Sequence, residues 1–192
     1  DKHFDTLLYT GNGAEQRIGG LGFQPDFVWA KNRGATDAHF VHDSVRGVKK
    51  QLYTNGSASE LNQEQLTSFN ADGFDVGSQA NAINTNNQNY VAWCWKAGNE
   101  TTVNNNGTVT STVSVNQDAG FSIVNFTGTG ANLTVGHGLN IAPEVMICKG
   151  REVSNNWLVY MAALNDNNKA LSLAENNTGY TGSHLWNDTD PT

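Results

Sequence analysis

An internal repeat constrains this chain more than any other feature of its sequence. Residues 9–33 and 126–151 share four features in the same order: a glycine-rich turn, a proline, a short apolar run and a basic end. The two segments align with an offset near 118 residues and one extra residue near Gly138. Chance similarity between glycine-rich segments would have to reproduce all four features. We therefore predict a tandem repeat.

The repeat divides the 192 residues into two copies joined by a linker. We assign residues 1–98 to the first copy, 99–119 to a polar linker with a connecting strand, and 120–192 to a second, truncated copy. Nothing in the second copy matches Asp72-Gly73-Phe74 or the aromatic segment Tyr90–Trp95 of the first. A sandwich without those strands would expose apolar surface and open strand edges. We therefore expect either a longer parent protein, or strands from another copy or subunit in these places.

Short apolar runs bounded by turn residues predict β-strands. Phe27–Ala30 follows Pro25, whose missing N–H suits the start of a strand, and Gly73–Gly77 follows a turn signal. Thr108–Val115 alternates as a strand that leads into the second copy, and the one helical candidate is Ser59–Phe69. Several short strands without alternating helices predict an all-β fold, an antiparallel β-sandwich.

The segment Tyr90–Trp95 shows how a strand would present its two faces. Alternation places Val91, Trp93 and Trp95 on one face, and Tyr90, Ala92 and Cys94 on the other. We expect the face with the tryptophans to point into the core, since it lies in a dense apolar strand. On that assignment the Trp93→Ala substitution would cost roughly 3–5 kcal/mol.

Composition excludes two classes of partner. Eleven Lys and Arg against 18 Asp and Glu give a formal net charge of −7, which disfavours binding to nucleic acid. No apolar run approaches the roughly 18 residues of a membrane-spanning helix, so we expect no membrane insertion. The start at Asp1 is not a signal peptide, and the missing initiator methionine suggests a processed chain or a piece of a longer one.

The histidines do not predict catalysis, and we assign no catalytic residue. His39 and His42 lie close to Asp43, an arrangement that could serve a general base or a metal site. Their counterparts in the second copy are Trp157 and Tyr160, so both positions accept aromatic bulk. Packing or surface roles are therefore the better interpretation.

Carboxylates and amides give no stronger signal. The acidic pairs Glu60/Glu64 and Asp72/Asp75 have no partner that spacing would place across a cleft. The loop Asn81–Asn89 offers amide oxygens but lacks the carboxylates that calcium sites use. No His/Cys cluster has zinc spacing. We expect no metal and no cofactor.

The remaining candidates for ligand binding are aromatic. Trp29 and the two tryptophans of Tyr90–Trp95 are expected in the core, whereas Trp186 lies in a loop-like segment. The candidate ligand-binding residues are therefore Trp186, His184 and Trp157.

The two cysteines fall in different copies. Cys94 and Cys148 each lie inside an apolar strand, where a cysteine behaves as a small hydrophobic residue. We expect them to be buried rather than joined in a disulfide.

Several segments of the sequence resemble those of a known family. They are Tyr9–Gly13, Gly22–Arg33, Asp43–Gly47 and Tyr90–Gly98 in the first copy, with Ala119–Val124 and Val135–Leu139 at the start of the second. In this combination the chain resembles a tandem β-rich module of bacteriophage tail fibres and tail-associated proteins of the marine phage type. It departs from the family pattern at His42 and Cys148, where we expect an aromatic or aliphatic residue and a valine.

The resemblance implies a lectin-like or jelly-roll sandwich in a virion appendage, extracellular and assembled in the host cytoplasm. It implies self-association as a homotrimer, contact with other tail proteins of the virion, and a host surface glycan or protein as a partner. It brings no catalytic residues with it.

We therefore expect a non-enzymatic structural or adhesive module of a tail fibre. A glycan-cleaving domain on the same appendage is the alternative, and a capsid decoration or other virion surface protein is a third reading. Self-association is also expected because the second copy lacks the strands that would cover its apolar segments Val145–Cys148 and Leu158–Val159.

Overall fold

Backbone hydrogen bonding between strands organises the whole chain. The computed structural model describes residues 2–78, 82–174, 179–182 and 185–192. The strands are β1 (Phe4–Thr10), β2 (Gln16–Gly19), β3 (Phe27–Asn32), β4 (His39–Asp43), β5 (Lys50–Tyr53), β6 (Leu61–Asn62), β7 (Leu66–Asn70), β8 (Gly73–Val76), β9 (Asn89–Trp95), β10 (Thr102–Asn104), β11 (Ser111–Asn116), β12 (Phe121–Phe126), β13 (Val145–Cys148), β14 (Leu158–Met161), β15 (Lys169–Ser172) and β16 (Tyr180–Thr181). Short 3₁₀ turns cover Ala162–Leu164 and Leu185–Asp188.

The first copy is a two-layer sandwich. Its larger sheet has the order β1-β9-β3-β4-β5-β6 and its smaller sheet the order β2-β8-β7, with antiparallel pairing throughout. The buried core between them consists of Ile18, Leu21, Phe23, Val28, Ala30, Phe40, Leu66, Phe74, Val76, Ala82, Ile83, Ala92 and Cys94. The all-β antiparallel sandwich predicted from the sequence is confirmed.

The two faces of β9 are reversed relative to the sequence prediction. Tyr90, Ala92 and Cys94 are fully buried, whereas Trp93 and Trp95 are only partly buried on the opposite face. Bulky side chains from the smaller sheet and the loops fill much of the core, so opposite them β9 contributes the small residues Ala92 and Cys94, and the large Tyr90 near its start. The prediction that Trp93 points into the core is wrong.

The helical candidate Ser59–Phe69 is also wrong. That segment forms β6, which pairs with β5, and β7, which pairs with β8 through an irregular register between Leu66 and Ser68. Leu66 is fully buried. Strand pairing and burial of this side chain therefore override a weak local capping pattern.

The linker contains more structure than its polar sequence indicates. β11 (Ser111–Asn116) overlaps most of the predicted strand Thr108–Val115, but β10 was not expected. With β12, these strands form a three-stranded sheet of order β10-β11-β12. The connection between the copies is therefore part of a sheet and not a free tether.

The second copy repeats the strand register of the first. In the hairpin of β3 and β4, Val28 pairs with His42, and 118 residues later Met146 pairs with Tyr160 in the hairpin of β13 and β14. The order β3-β4-β5-β6 has its parallel in the four-stranded sheet β13-β14-β15-β16. This shared register supports the prediction of a tandem repeat.

A lysine contact recurs in the same place. Lys31 Nζ donates to the carbonyl oxygens of Asn32 at 2.7 Å and Ala35 at 2.8 Å. Lys149 Nζ donates to the carbonyl oxygens one and four residues later, at 2.7 and 3.2 Å. The turns after β3 and β13 are therefore stabilised by the same type of hydrogen bond, from a lysine ammonium to backbone carbonyl oxygens.

The second copy is held to the first by an ion pair and a buried indole. Arg151 binds Glu60 through Nη2–Oε1 at 2.8 Å and Nε–Oε2 at 3.0 Å. The indole N–H of Trp157 donates to the carbonyl oxygen of Tyr53 at 2.6 Å. The Trp157 ring is buried in a cluster with Val41 and Leu52. We call these contacts the junction.

No helix among the described residues has the length and apolar character needed to cross a membrane.

His42 is a buried titratable group in the first copy. It is fully buried, and neither ring nitrogen has a hydrogen-bond partner within the part of the chain that the structure describes. Burial, reinforced by the positive charge of Arg46, lowers the pKa of His42 from 6.5 to about 3. The folded protein therefore keeps this imidazole neutral near neutral pH.

We predict that His42 makes stability fall with acid. Between about pH 6.5 and pH 5 the unfolded chain protonates this histidine and the folded protein does not, so the free energy of unfolding should drop by about 1.5–2 kcal/mol. His42→Leu should remove that contribution, as urea unfolding at several pH values would measure. The pKa of His39 is also lowered, but His39 is present in both proteins and its effect cancels. Equal pH slopes would contradict the prediction.

The junction gives a second prediction. Arg151→Met leaves the largely buried Glu60 carboxylate with fewer partners and should lower the free energy of unfolding by about 1–2 kcal/mol. Arg17→Met is the matched control, because the Arg17–Asp72 pair has about half of each side chain exposed and should contribute at most about 1 kcal/mol. Both are measured by urea unfolding, and an equal loss in the two variants would refute a stabilising junction.

Candidate functional site

The outer side of the larger sheet carries a concentration of aromatic side chains. Because strand residues alternate between faces, the residues of β1, β3 and β9 that do not enter the core share this side. We call it the aromatic face, and it consists of Phe4, Thr6, Leu8, Phe27, Trp29, Lys31, Val91, Trp93 and Trp95.

Strand register places these side chains in rows. One row runs Thr6, Trp93, Trp29 across β1, β9 and β3. The rings of Trp93 and Trp29 meet edge to face, with centroids 6.3 Å apart and planes at 76°. This arrangement is favourable for aromatic pairs and fixes both indoles.

The second copy covers one end of the aromatic face. The ring of Phe121 lies 6.2 Å from that of Phe27 and 6.4 Å from that of Trp95. Phe27 and Trp29 also pack against the cluster that contains Trp157. This end is therefore part of the packing between the copies.

The other end of the aromatic face is open. Leu8 is 64% exposed, and Thr6 and Thr10 are exposed beside it. Thr10 Oγ1 donates to Asn89 Oδ1 at 2.9 Å, which places a hydroxyl and an amide at the border. Trp93 therefore lies on a surface with an apolar centre and a polar rim, a combination typical of ligand sites.

His39 adds a neutral polar group to the border. Partial burial first, and the charge of Lys31 second, lower the pKa of His39 below its usual 6.5. Its Nδ1 accepts a hydrogen bond from the indole N–H of Trp29 at 3.3 Å. The proton of the neutral ring is then on Nε2, which is a donor.

The structure describes two of the three predicted ligand-binding residues, Trp157 and Trp186. Trp157 is buried in the junction, and its indole N–H donates to the carbonyl oxygen of Tyr53. Trp186 is partly buried, donates to the carbonyl oxygen of Lys169 at 2.9 Å and packs edge to face on Tyr160. His184 lies outside the described residues.

The aromatic face was not predicted, because Trp29, Trp93 and Trp95 were expected in the core. The available signal was on the alternate positions of β9, where Ala92 and Cys94 are small enough for the interior of a sandwich whose other layer supplies the bulk. If Ala92 and Cys94 point into the core, Trp93 and Trp95 must lie on the outer face of the sheet.

The carboxylates considered for glycan cleavage are held in other contacts. Glu60 binds Arg46 and Arg151, and Glu64 binds Lys49 at 2.5 Å. Asp72 binds Arg17 at 2.5 Å, and Asp75 accepts from Asn70 at 2.8 Å. Guanidinium hydrogen bonds outweigh burial and lower the pKa of Glu60, so it is an anion at neutral pH.

The described residues contain no group of three or more His, Cys, Asp or Glu side chains that could hold a metal ion. Both cysteines are free. Burial raises the pKa of the Cys94 thiol to about 12 and of the Cys148 thiol to about 11, so neither is a nucleophile near neutral pH.

Comparison with known proteins identifies one family. The family model described as Domain of unknown function (DUF7483) matches residues 1–192. No curated protein and no solved structure matches the chain.

The corrected faces of β9 change the expected effect of mutation. Trp93→Ala removes a partly exposed ring and should cost about 1–2 kcal/mol. Phe74→Ala, which empties a fully buried site, should cost about 3–5 kcal/mol. Urea unfolding of both variants measures the two losses. A larger loss for Trp93→Ala would place its ring back in the core.

Proposed function

We propose a function for this chain as a member of the DUF7483 family, to which it belongs. It is a non-enzymatic structural and adhesive module of a bacteriophage tail fibre or related virion appendage, and it binds host surface glycan. The single observation that carries this proposal is the open end of the aromatic face. The resemblance of the sequence to tail-fibre modules supplies the setting.

The open end suits a sugar ring chemically. One face of a pyranose carries mainly C–H groups, which pack on an indole such as that of Trp93, while the ring hydroxyls need polar partners at the edge. Thr6, Thr10 and Asn89 provide hydroxyl and amide groups along that edge. The neutral imidazole of His39 provides a further donor on the far side of Trp29.

The size of the open end predicts weak binding by one chain. A surface centred on one indole contributes only a few kcal/mol, which corresponds to dissociation constants in about the millimolar range. Several copies held together raise the effective affinity without any new contact. The proposal includes such multivalency as a homotrimer on the virion, in contact with other tail proteins, which is what the resemblance to tail fibres implies.

The ion pairs of the acidic residues support the non-enzymatic part of the proposal. Hydrolysis of a glycoside uses two carboxyl groups about 5–10 Å apart on opposite sides of the scissile bond. Glu60 lies in the junction between two arginines, where it stabilises the fold.

Glycan binding is tested with the full chain on a glycan array and by titration with any sugar retained. Trp93→Ala should reduce binding at least tenfold because the stacking surface is lost. Phe126→Ala is the matched control, since it removes an aromatic ring that is 43% exposed outside the aromatic face, and it should bind like the parent. Circular dichroism verifies that both variants are folded. Retention of no glycan, or equal binding by the parent and Trp93→Ala, would refute the proposal.

A further inference from the structure

Two cations lie at the corner of the aromatic face where β3 ends. Thr10 of β1 pairs with Asn89 of β9, and the backbone N–H of Arg33 donates to the carbonyl oxygen of Asn89 at 2.8 Å, so these residues form a row across the sheet. Because residues two apart on a strand share a face, Arg33 lies on the same side of the sheet as Lys31. We call Lys31, Arg33 and the turn 32–35 the basic corner.

The ammonium of Lys31 lies against the turn that carries Arg33. It donates to the carbonyl oxygens of Asn32 at 2.7 Å and Ala35 at 2.8 Å, on either side of Arg33 in the sequence. An ammonium has three N–H donors, so one remains for a ligand. Arg33 is exposed and forms no ion pair with the residues that the structure describes. Two positive charges therefore lie together at the open end of the aromatic face.

The surroundings of the basic corner leave its charge in place. Asp37 is the acidic residue closest to Arg33 in the sequence, but its Oδ2 accepts from Nδ2 of Asn32 at 2.7 Å, and Asn32 is buried on the inner side of β3. His39 pairs with Lys31 across β3 and β4. Burial first, and the charge of Lys31 second, lower the pKa of His39. The local field is thus positive although the chain carries a net charge of −7.

The second copy shows what such a corner binds. Lys149 and Arg151 are the counterparts of Lys31 and Arg33, and Lys149 Nζ makes the same two contacts with its own turn. There the guanidinium of Arg151 holds the carboxylate of Glu60 by two hydrogen bonds, at 2.8 and 3.0 Å. Paired bonds of this kind are strong and directional. The corner of the first copy has the same parts, with its guanidinium open to solvent.

The spacing of the rows sets the size of a ligand that reaches both the indole and the corner. Asn89 and Trp93 are four residues apart on β9, which is about 13 Å along a strand. This distance is longer than one sugar ring. The row between them pairs Leu8, Val91 and Lys31 and is open at Leu8. A ligand that contacts Trp93 and the corner must therefore contain at least two linked sugars.

We propose that the glycan bound by the aromatic face is acidic, an oligosaccharide that stacks one ring on Trp93 and places the carboxylate of an adjoining uronic or sialic acid on Arg33. This inference rests on the proposed glycan binding and adds the chemical class of the ligand. Arg33 forms the two hydrogen bonds that Arg151 forms with Glu60, and Lys31 contributes a second charge.

The test uses the full chain and matched pairs of oligosaccharides on a glycan array. Each pair consists of an acid and its methyl ester, which keeps the sugar rings and loses the charge. The acids are tetrasaccharides of galacturonic, glucuronic and mannuronic acid, and sialyllactose. At least one acid should bind at least tenfold more tightly than its own ester. Added salt should reduce that difference, because salt screens exposed charges.

The array separates this inference from the proposed function. Retention of neutral glycans, with every acid bound no more tightly than its ester, would overturn the acidic ligand and leave the proposed glycan binding intact. Retention of no glycan would overturn both.

A variant pair assigns the effect to the basic corner. Arg33→Gln should weaken binding of the acid at least tenfold and leave binding of its ester unchanged. Arg17→Gln is the matched control, because it removes one positive charge from a half-exposed arginine on the smaller sheet, and it should bind both ligands like the parent. Trp93→Ala should weaken binding of the acid and of the ester by the same factor. Equal affinity of Arg33→Gln and Arg17→Gln for the acid would overturn the inference.

A carboxylate on another protein molecule is the competing ligand for Arg33. Analytical ultracentrifugation of the chain without glycan should give the same mass for the parent and Arg33→Gln. Self-association that Arg33→Gln abolishes and Arg17→Gln retains would assign the corner to a protein carboxylate, which would overturn the inference. Circular dichroism verifies that every variant is folded.

Discussion

Pairing of β9 with two neighbours is the interaction on which the first copy depends. β9 follows β8 in the sequence, yet in the sheet it lies between β1 and β3. Both of these strands come much earlier in the chain. Closure of this sheet therefore requires contacts between residues more than eighty positions apart, such as Phe4 with Trp95. Such contacts carry a large loop-closure entropy and form late in folding unless local structure assists them. The core and the aromatic face both exist only once β9 is in place.

The two faces of β9 differ in burial, since one face points into the core and the other carries tryptophans on the outer side of the sheet. Tyr90, Ala92 and Cys94 face the core, and Thr85 N–H donates to the Tyr90 hydroxyl at 3.0 Å, so the one polar atom on this face is satisfied. On the opposite face Trp93 and Trp95 are held by aromatic neighbours from other strands. Rigid aromatic side chains lose little entropy when a ligand binds, which makes a fixed indole surface well suited to weak recognition.

The sequence predicted where several strands lie, but it did not predict which face of β9 points into the core. Proline and glycine located β3 and β8, since these residues act through local backbone geometry, and an apolar aromatic run located β9. Alternation separated Trp93 from Ala92, but period two alone does not tell which set is inside. That depends on the volume supplied by the opposite layer, here by Phe74 and its neighbours. For the same reason the aromatic face was not recognised as a surface. The helix prediction at Ser59–Phe69 and the omission of β10 have another cause, because these short polar strands lack an apolar run of their own and are defined by pairing with the neighbouring strands β5, β8 and β11.

The junction has a geometric consequence for longer assemblies. Arg151, Glu60 and Trp157 fix one rotation and one translation between the two copies, with partly buried charges and a buried ring leaving little freedom to hinge. Any object that relates successive units by one constant rotation and translation is a helix. In an array built with this junction, the twist and pitch of a whole filament would be set by a few side chains at each contact. A substitution there would alter the curvature of the filament even if every unit kept its own fold.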